Sequence, residues 1–204
     1  MDYIRKATEA EMILAFLQGE LRSNRFGETL KGIMEQTGVG EDILMRADLC
    51  NETENAIRRK LLALHRGYPD RDMFERFPQI TDWHFVRFSA EDIEHINYID
   101  YSYWNEISRH TSKPRKAAET IRAGIEIYEV DNTPIWQGLE VVKENPFPPV
   151  ILITANHAEY LIIEGHSRMT VYGMDPTLLE GTYGYVGGCS PEMMRRYDAR
   201  ERFQ

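Results

Sequence analysis

The chain has 204 residues and a formal net charge of −9, with 42% hydrophobic and 28% charged residues. This balance is typical of one globular domain, or of a domain with a smaller appendage, and excludes a wholly disordered chain. The acidic charge disfavours a protein that coats nucleic acid nonspecifically. Cys50 and Cys189 stand far apart in the sequence, which excludes a disulfide framework and a structural zinc knuckle.

Hydropathy along the chain predicts where the protein resides. The first residues carry charges where the core of a signal peptide would be apolar, so no signal peptide is expected. No apolar run approaches the roughly 20 residues that span a bilayer. Together with the sparse cysteines, these features predict a cytoplasmic protein without a membrane partner.

The first third of the chain is predicted to be helical. Thr8 and Glu11 have the spacing of a capping box in front of an apolar face. The 3.6-residue periodicity predicts further helices over residues 28–36, 41–47 and 54–65. We expect a helical region over residues 1–78 that could present a surface to a protein partner.

Residues 28–47 have the outline of a helix-turn-helix. Its second helix would begin with Glu41 and Asp42, whereas a recognition helix presents bases and amides to the DNA groove. A helical hairpin is therefore favoured over DNA reading, and DNA is kept only as a disfavoured partner.

Strands and helices alternate from residue 79 onward. Short β-rich runs predict strands over residues 84–88, 150–154, 160–164 and 183–186, and the second and third are joined by a plausible hairpin. Ser89 is predicted to cap a helix that carries Ile96, and Pro134 to open a helix that ends near residue 144. The interleaving predicts an α+β (α/β) domain over residues 79–204, with a small mixed sheet, flanking helices and a C-terminal helix.

A short segment within this predicted domain has the features of a phosphate site. Residues 160–174 are predicted to form a strand, a tight turn and the start of a helix, and the turn consists of Gly165, His166, Ser167 and Arg168. Backbone N–H groups and the helix dipole attract anions at such a helix N-terminus. Gly165 lets the backbone approach a ligand, Ser167 can donate its hydroxyl, and Arg168 can bind a phosphate through two parallel bonds.

Neighbouring residues could add chemistry to this turn. His166 could donate to a phosphate or transfer a proton, and Glu164 could bind Mg²⁺ or act as a base. Five basic residues between 109 and 122, among them Lys113 and Arg115, could contact a triphosphate or a nucleic acid. Two simpler interpretations stay open: Arg168 could close an ion pair with Glu164, and the basic run could be a solvated helix face.

An aromatic stretch precedes the basic run and contains Tyr98, Tyr101, Tyr103 and Trp104. These rings could stack on a base. Packing within the core and at an interface is the expected role.

The order of elements over residues 135–172 carries a family resemblance. A helix, a break at Pro148 and Pro149, a strand, a hairpin, a second strand and then Glu-Gly-His-Ser-Arg follow one another. This order resembles the core of the ParB/sulfiredoxin-like superfamily, and residues 83–99 resemble its opening strand and helix. In that superfamily the turn binds nucleotide phosphates: ATP in sulfiredoxins, CTP in ParB proteins, and ATP or ADP in free-serine kinases. The resemblance implies a nucleotide, ATP or CTP with Mg²⁺, at residues 165–168.

Two departures from the family pattern restrict the function. Sulfiredoxins place a nucleophilic cysteine directly before the His-Arg pair of the turn, whereas Gly165 precedes His166 here, so peroxiredoxin repair is not expected. ParB proteins have two adjacent arginines in the turn and continue into a DNA-binding helical domain. Ser167 replaces the first arginine here and the sequence ends soon afterwards, so centromere binding is disfavoured.

The sequence thus predicts a nucleotide-binding protein and leaves three hypotheses about its action. It could be a nucleotide-dependent phosphotransferase or nucleotidase in which Glu164, His166 and Arg168 are catalytic. It could be a non-catalytic module in which a nucleotide or anion gates contacts with a protein or with DNA. It could also be an interaction protein whose turn holds no ligand.

Overall fold

Helices and a mixed sheet make up the protein, as expected from the alternation of patterns in the sequence. The computed structural model describes residues 1–23, 25–75, 77 and 80–200. Contacts divide the chain into two compact units, one formed by Lys6–Trp83 and the other by Met1–Arg5 together with His84–Gln204. The helices and the six-stranded mixed sheet confirm a mixed α/β class.

The first unit is helical. Its helices are α1 (Glu9–Leu21), α2 (Gly27–Thr37), α3 (Asp42–Met45) and α4 (Glu52–Arg66), with a 3₁₀ turn at Asp72–Phe74. Thr8 and Glu11 form the predicted capping box at the start of α1. The helix predicted over residues 41–47 is only four residues long, about 6 Å, which supports a helical hairpin rather than a DNA-reading helix.

One buried arginine holds the short helix of this unit in place. Arg58 lies on α4, and only 1% of its surface is exposed. Its guanidinium donates to the backbone carbonyls of Ile43 and Asp48, each at 2.9 Å, and pairs with Glu54 of the preceding helical turn. Because these bonds satisfy both the charge and the carbonyls, α3 and the loop after it are fixed to α4.

The second unit is built on a six-stranded sheet in the order β1-β2-β6-β4-β5-β3. Strand β4 is antiparallel to β5, whereas β3 is parallel to β5 and β6 is parallel to β4. The strands are β1 (Asp2–Ala7), β2 (Trp83–Arg87), β3 (Ile96–Tyr98), β4 (Val150–Thr154), β5 (Tyr160–Glu164) and β6 (Tyr183–Gly188). The predicted hairpin between the fourth and fifth strands is confirmed.

Helices cover the sheet of the second unit. They are α5 (Ser102–Ile107), α6 (Pro114–Arg122), α7 (Thr133–Glu144), α8 (His166–Met174) and α9 (Pro191–Tyr197), with 3₁₀ turns at Ala90–His95 and Pro176–Leu179. Alternate residues of the central strands, such as Leu152, Ile162 and Val186, belong to one buried core with Val171 of α8. The sheet and this core position α8.

The structure differs from the sequence-based prediction at β1 and around Ile96. The segment Asp2–Ala7 forms a strand that was not predicted from the sequence. It lies at the end of the sheet and its first five residues are exposed. It therefore lacks the alternating apolar face by which a strand is recognised in a sequence. The placement of Ile96 in a helix was wrong. The helical segment after Ser89 is a 3₁₀ turn that ends at His95, and Ile96 begins a strand that pairs with Tyr160 of β5.

In the part of the chain that the structure describes, no helix combines the length and the apolar character that crossing a bilayer requires.

Candidate functional site

A sharp turn at Gly165 joins the buried strand β5 to helix α8. Gly165 has φ 101° and ψ 25°, a left-handed conformation that favours glycine. A Cβ atom at this position would lie 2.6 Å from Cγ1 of Val150, so the close approach of the turn to β4 also requires glycine. Sterics and conformation together therefore fix the point at which α8 begins.

Arg168 fastens this turn to the residues that lead into β4. Its Nη1 donates to the backbone carbonyls of Pro148 at 2.5 Å and of Pro149 at 2.9 Å. Its Nη2 forms an ion pair with Oε2 of Glu164, the last residue of β5, four positions earlier in the chain. Both side chains are only 13% exposed. The ion pair between Arg168 and Glu164, which the sequence left open as a simpler interpretation, is therefore present. The guanidinium has a structural role.

The same ion pair determines what Glu164 can do. A Mg²⁺ ligand must turn its carboxylate oxygens towards a hydrated cation, and a general base needs an accessible lone pair. The Glu164 carboxylate is instead turned towards Arg168 and is largely buried. Within the described ranges, no group of three or more His, Cys, Asp or Glu side chains could hold a metal ion. In this arrangement the Glu164 carboxylate is occupied by Arg168.

Ser167 and His166 occupy the first turn of α8 with different exposure. Ser167 is exposed, so its hydroxyl can reach a ligand in solvent. His166 is half-buried, and its ring centroid lies 5.4 Å from that of Trp104 and 6.0 Å from that of Tyr98. The two residues therefore present a polar and an aromatic side of the same helix start.

A buried hydrogen-bond chain supports the aromatic side. The Tyr98 hydroxyl lies 2.7 Å from Oγ1 of Thr170, and that oxygen donates to the backbone carbonyl of His166 at 2.9 Å. Since Thr170 donates its proton to the carbonyl, Tyr98 must be the donor of the first bond. Burial raises the pKa of Tyr98 well above its ordinary value, which keeps this hydroxyl protonated.

Lys113 and Arg115 contact acidic and carbonyl groups outside the turn. Lys113 donates to the backbone carbonyl of Glu94 at 2.6 Å and lies 3.6 Å from Oε2 of Glu159. Arg115 forms an ion pair with Glu94 at 2.8 Å. Glu159 directly precedes β5, whereas the turn follows it, and a strand of this length spans about 17 Å. Lys113 therefore lies at the other end of β5 from the turn and Arg115 pairs with Glu94, and their contact with a triphosphate stays a prediction.

A polar cluster at that far end of β5 was missed by the sequence analysis. Oε2 of Glu159 accepts from the amide of Asn97 at 2.6 Å and from Arg200 at 2.8 Å. Burial works to raise the pKa of Glu159, but the Asn97 amide and the cations Lys113 and Arg200 hold it below its ordinary value. No short-range pattern marks this cluster, because Asn97 and Glu159 are 62 residues apart.

No family model, curated protein or solved structure matches the chain. The geometry around Gly165 is therefore the basis on which a function can be proposed.

Proposed function

We propose that this protein binds a nucleotide without catalysing its turnover, with the ligand's phosphates over the N-terminus of α8. The observation that carries this proposal is the left-handed Gly165, which starts a nine-residue helix directly at the end of a buried strand. Helix geometry leaves the first N–H groups without acceptors inside the helix, and the dipole adds about half a positive charge there. Phosphate binding at such a helix start is a general property.

Ser167 supplies the side-chain contact in this proposal. It lies in the first turn of α8 and is exposed. Its hydroxyl can donate to a phosphate oxygen beside the backbone N–H groups. In an acidic chain, a helix start with an exposed hydroxyl and no acidic residue in its first turn is suited to an anion.

Arg168 stabilises the proposed site without contacting the ligand. Its bonds to Pro148 and Pro149 and its ion pair with Glu164 hold the turn in one conformation. A turn that is already ordered costs less conformational entropy when a ligand binds. The arginine therefore increases affinity by preorganisation rather than by direct contact with phosphate.

The order of elements supports the proposal that the chain is related to the ParB/sulfiredoxin-like superfamily. Helix α7, the break at Pro148 and Pro149, strand β4, an antiparallel β5 and then α8 follow in the order that the ParB/sulfiredoxin-like superfamily uses. In this proposal the ligand is ATP or CTP, as the resemblance implies. In this proposal any Mg²⁺ is held by phosphate oxygens and water, since Glu164 is paired with Arg168.

The pairing of Glu164 and Arg168 favours binding over catalysis. Phosphoryl transfer is accelerated mainly by charges directed at the transferred group. Here the acid and the arginine of the turn neutralise each other. The non-catalytic hypothesis is therefore the one that the site supports best.

A charge placed at the proposed phosphate position tests the proposal. In Ser167→Glu, a carboxylate at the first turn of α8 suits the helix dipole but repels an incoming phosphate. Thr133→Glu is a matched control, since Thr133 is exposed in the first turn of α7. Thermal-shift and calorimetric titrations with ATP, CTP and GTP in Mg²⁺ would be run on all three proteins, alongside an assay for released phosphate.

The wild-type protein and Thr133→Glu should both be stabilised by a nucleotide, by about 2.7 kcal/mol at 100 times its Kd. Ser167→Glu should fold as well as the wild type but should lose that stabilisation, and phosphate release should match the buffer blank. If no nucleotide stabilises the wild type at millimolar concentration, or if Ser167→Glu binds normally, the proposal is wrong. Phosphate release that depends on the protein would restore the enzyme hypothesis.

A further inference from the structure

Trp104 of α5 lies directly beside the first residue of α8. Its ring centroid is 5.4 Å from that of His166 and 4.7 Å from that of Tyr98, with interplanar angles of 17° and 21°. The rings of Tyr98 and His166 are themselves 6.0 Å apart and inclined by 13°. Three nearly parallel rings therefore pack together at the start of α8.

These distances show which face of the indole is covered. If Tyr98 and His166 lay on opposite faces of Trp104, each about 3.5 Å from its plane, the two rings would be at least about 7 Å apart. The measured centroid distance of 6.0 Å is shorter, so both rings lie on the same face. Tyr103 meets the indole edge-on, at 72°. Among the residues that the structure describes, no ring stacks on the opposite face of Trp104.

The covered face is held rigidly. Tyr98 is fully buried, and its hydroxyl is hydrogen-bonded to Thr170 in the middle of α8. Trp104 itself is half-buried and packs against the main core. The indole is therefore fixed relative to α8, and no described ring competes with a ligand for stacking on its other face.

We infer that Trp104 stacks on the nucleobase of the ligand, so that the site selects nucleotides over inorganic polyphosphates. This inference rests on the proposed function, because it places the phosphates at the first turn of α8. In this arrangement the base lies on one side of the indole ring and the first turn of α8 lies on the other. The ribose and phosphates then run past the edge of the ring to reach that turn. Stacking of a base on an aromatic ring raises affinity by roughly tenfold to a hundredfold.

The experiment compares ATP with inorganic triphosphate, both with Mg²⁺, by calorimetry on the full chain. ATP should bind the wild type roughly tenfold to a hundredfold more tightly than triphosphate does. Trp104→Leu should bind triphosphate as the wild type does but should lose the advantage of ATP, and Trp104→Phe should retain part of it. Trp136→Leu is the control, because Trp136 lies on α7 and is 42% exposed.

Tryptophan fluorescence of the wild type gives a second measurement that depends on no variant. ATP should quench the emission and triphosphate should not, and the quenching should be absent in Trp104→Leu but present in Trp136→Leu. Equal affinity for ATP and triphosphate, or an ATP advantage that survives in Trp104→Leu, would overturn the inference and leave the phosphate proposal intact. If neither ligand binds the wild type, the proposed function is wrong and the inference falls with it.

Discussion

Replacement of Arg168 by alanine distinguishes a structural arginine from one that binds ligand. The guanidinium and the Glu164 carboxylate are each only 13% exposed, so Arg168→Ala leaves a largely buried carboxylate without its cation. It also removes the donor to the carbonyls of Pro148 and Pro149. Removing one partner of such a pair costs about 3–5 kcal/mol, and we expect a loss of this size in the free energy of unfolding.

Urea denaturation at 25 °C, followed by circular dichroism, measures this loss. The double variant Glu164→Gln/Arg168→Met is the control. It removes both charges and leaves no orphaned carboxylate, so it should be more stable than Arg168→Ala. If Arg168→Ala unfolds within 1 kcal/mol of the wild type and yet no longer binds nucleotide, the guanidinium serves the ligand directly and the structural interpretation is refuted.

Three further predictions follow from the described contacts. Gly165→Ala should lose on the order of 3 kcal/mol of stability, because its Cβ would collide with Val150 in a left-handed backbone. Glu159→Gln should be less stable than the wild type at neutral pH. Because the folded-state pKa of Glu159 is depressed, its contribution is present above the ordinary value of 4.5 and is lost as the pH falls through the folded value. Arg58→Met should lose about 3 kcal/mol of stability, because the carbonyls of Ile43 and Asp48 lose their donor and Glu54 loses its buried cation.

Matched variants and denaturation curves check each of these. Gly181 also has a positive φ, but no atom lies within 4 Å of a Cβ built there, so Gly181→Ala isolates the backbone strain from the collision. For Glu159→Gln, a stability difference from the wild type that does not shrink in acid would contradict the assigned pKa. Lys60→Met, at an exposed position of α4, should change the stability by less than about 0.5 kcal/mol. An equal loss in Arg58→Met and Lys60→Met would exclude the role given to Arg58.

Local sequence patterns predicted the elements around the turn well. Strands β4 and β5 are short apolar runs, a β-breaking segment separates them, and Gly165 follows directly. Each of these features acts within a few residues, so a single sequence reveals it. The capping box of Thr8 and Glu11 was predictable for the same reason.

Features that depend on distant partners could not be predicted in this way. Strand β3 has three residues and is defined by parallel pairing with β5, far along the chain. The sequence allowed Arg168 to bind either a phosphate or Glu164, and only the fold brings the carbonyls of Pro148 and Pro149 within its reach. Nor does a composition count reveal that Lys113 lies beside Glu159, at the other end of β5 from the turn.

The backbone amides at the start of α8 provide the most direct test of the central claim. In a ¹H–¹⁵N correlation spectrum, titration with ATP and Mg²⁺ should shift the amide signals of His166, Ser167 and Arg168 more than those elsewhere in the chain. The shifts should saturate with the calorimetric Kd and should be absent in Ser167→Glu. If ATP binds and these amide signals do not move, the phosphates lie elsewhere and the proposed site is wrong.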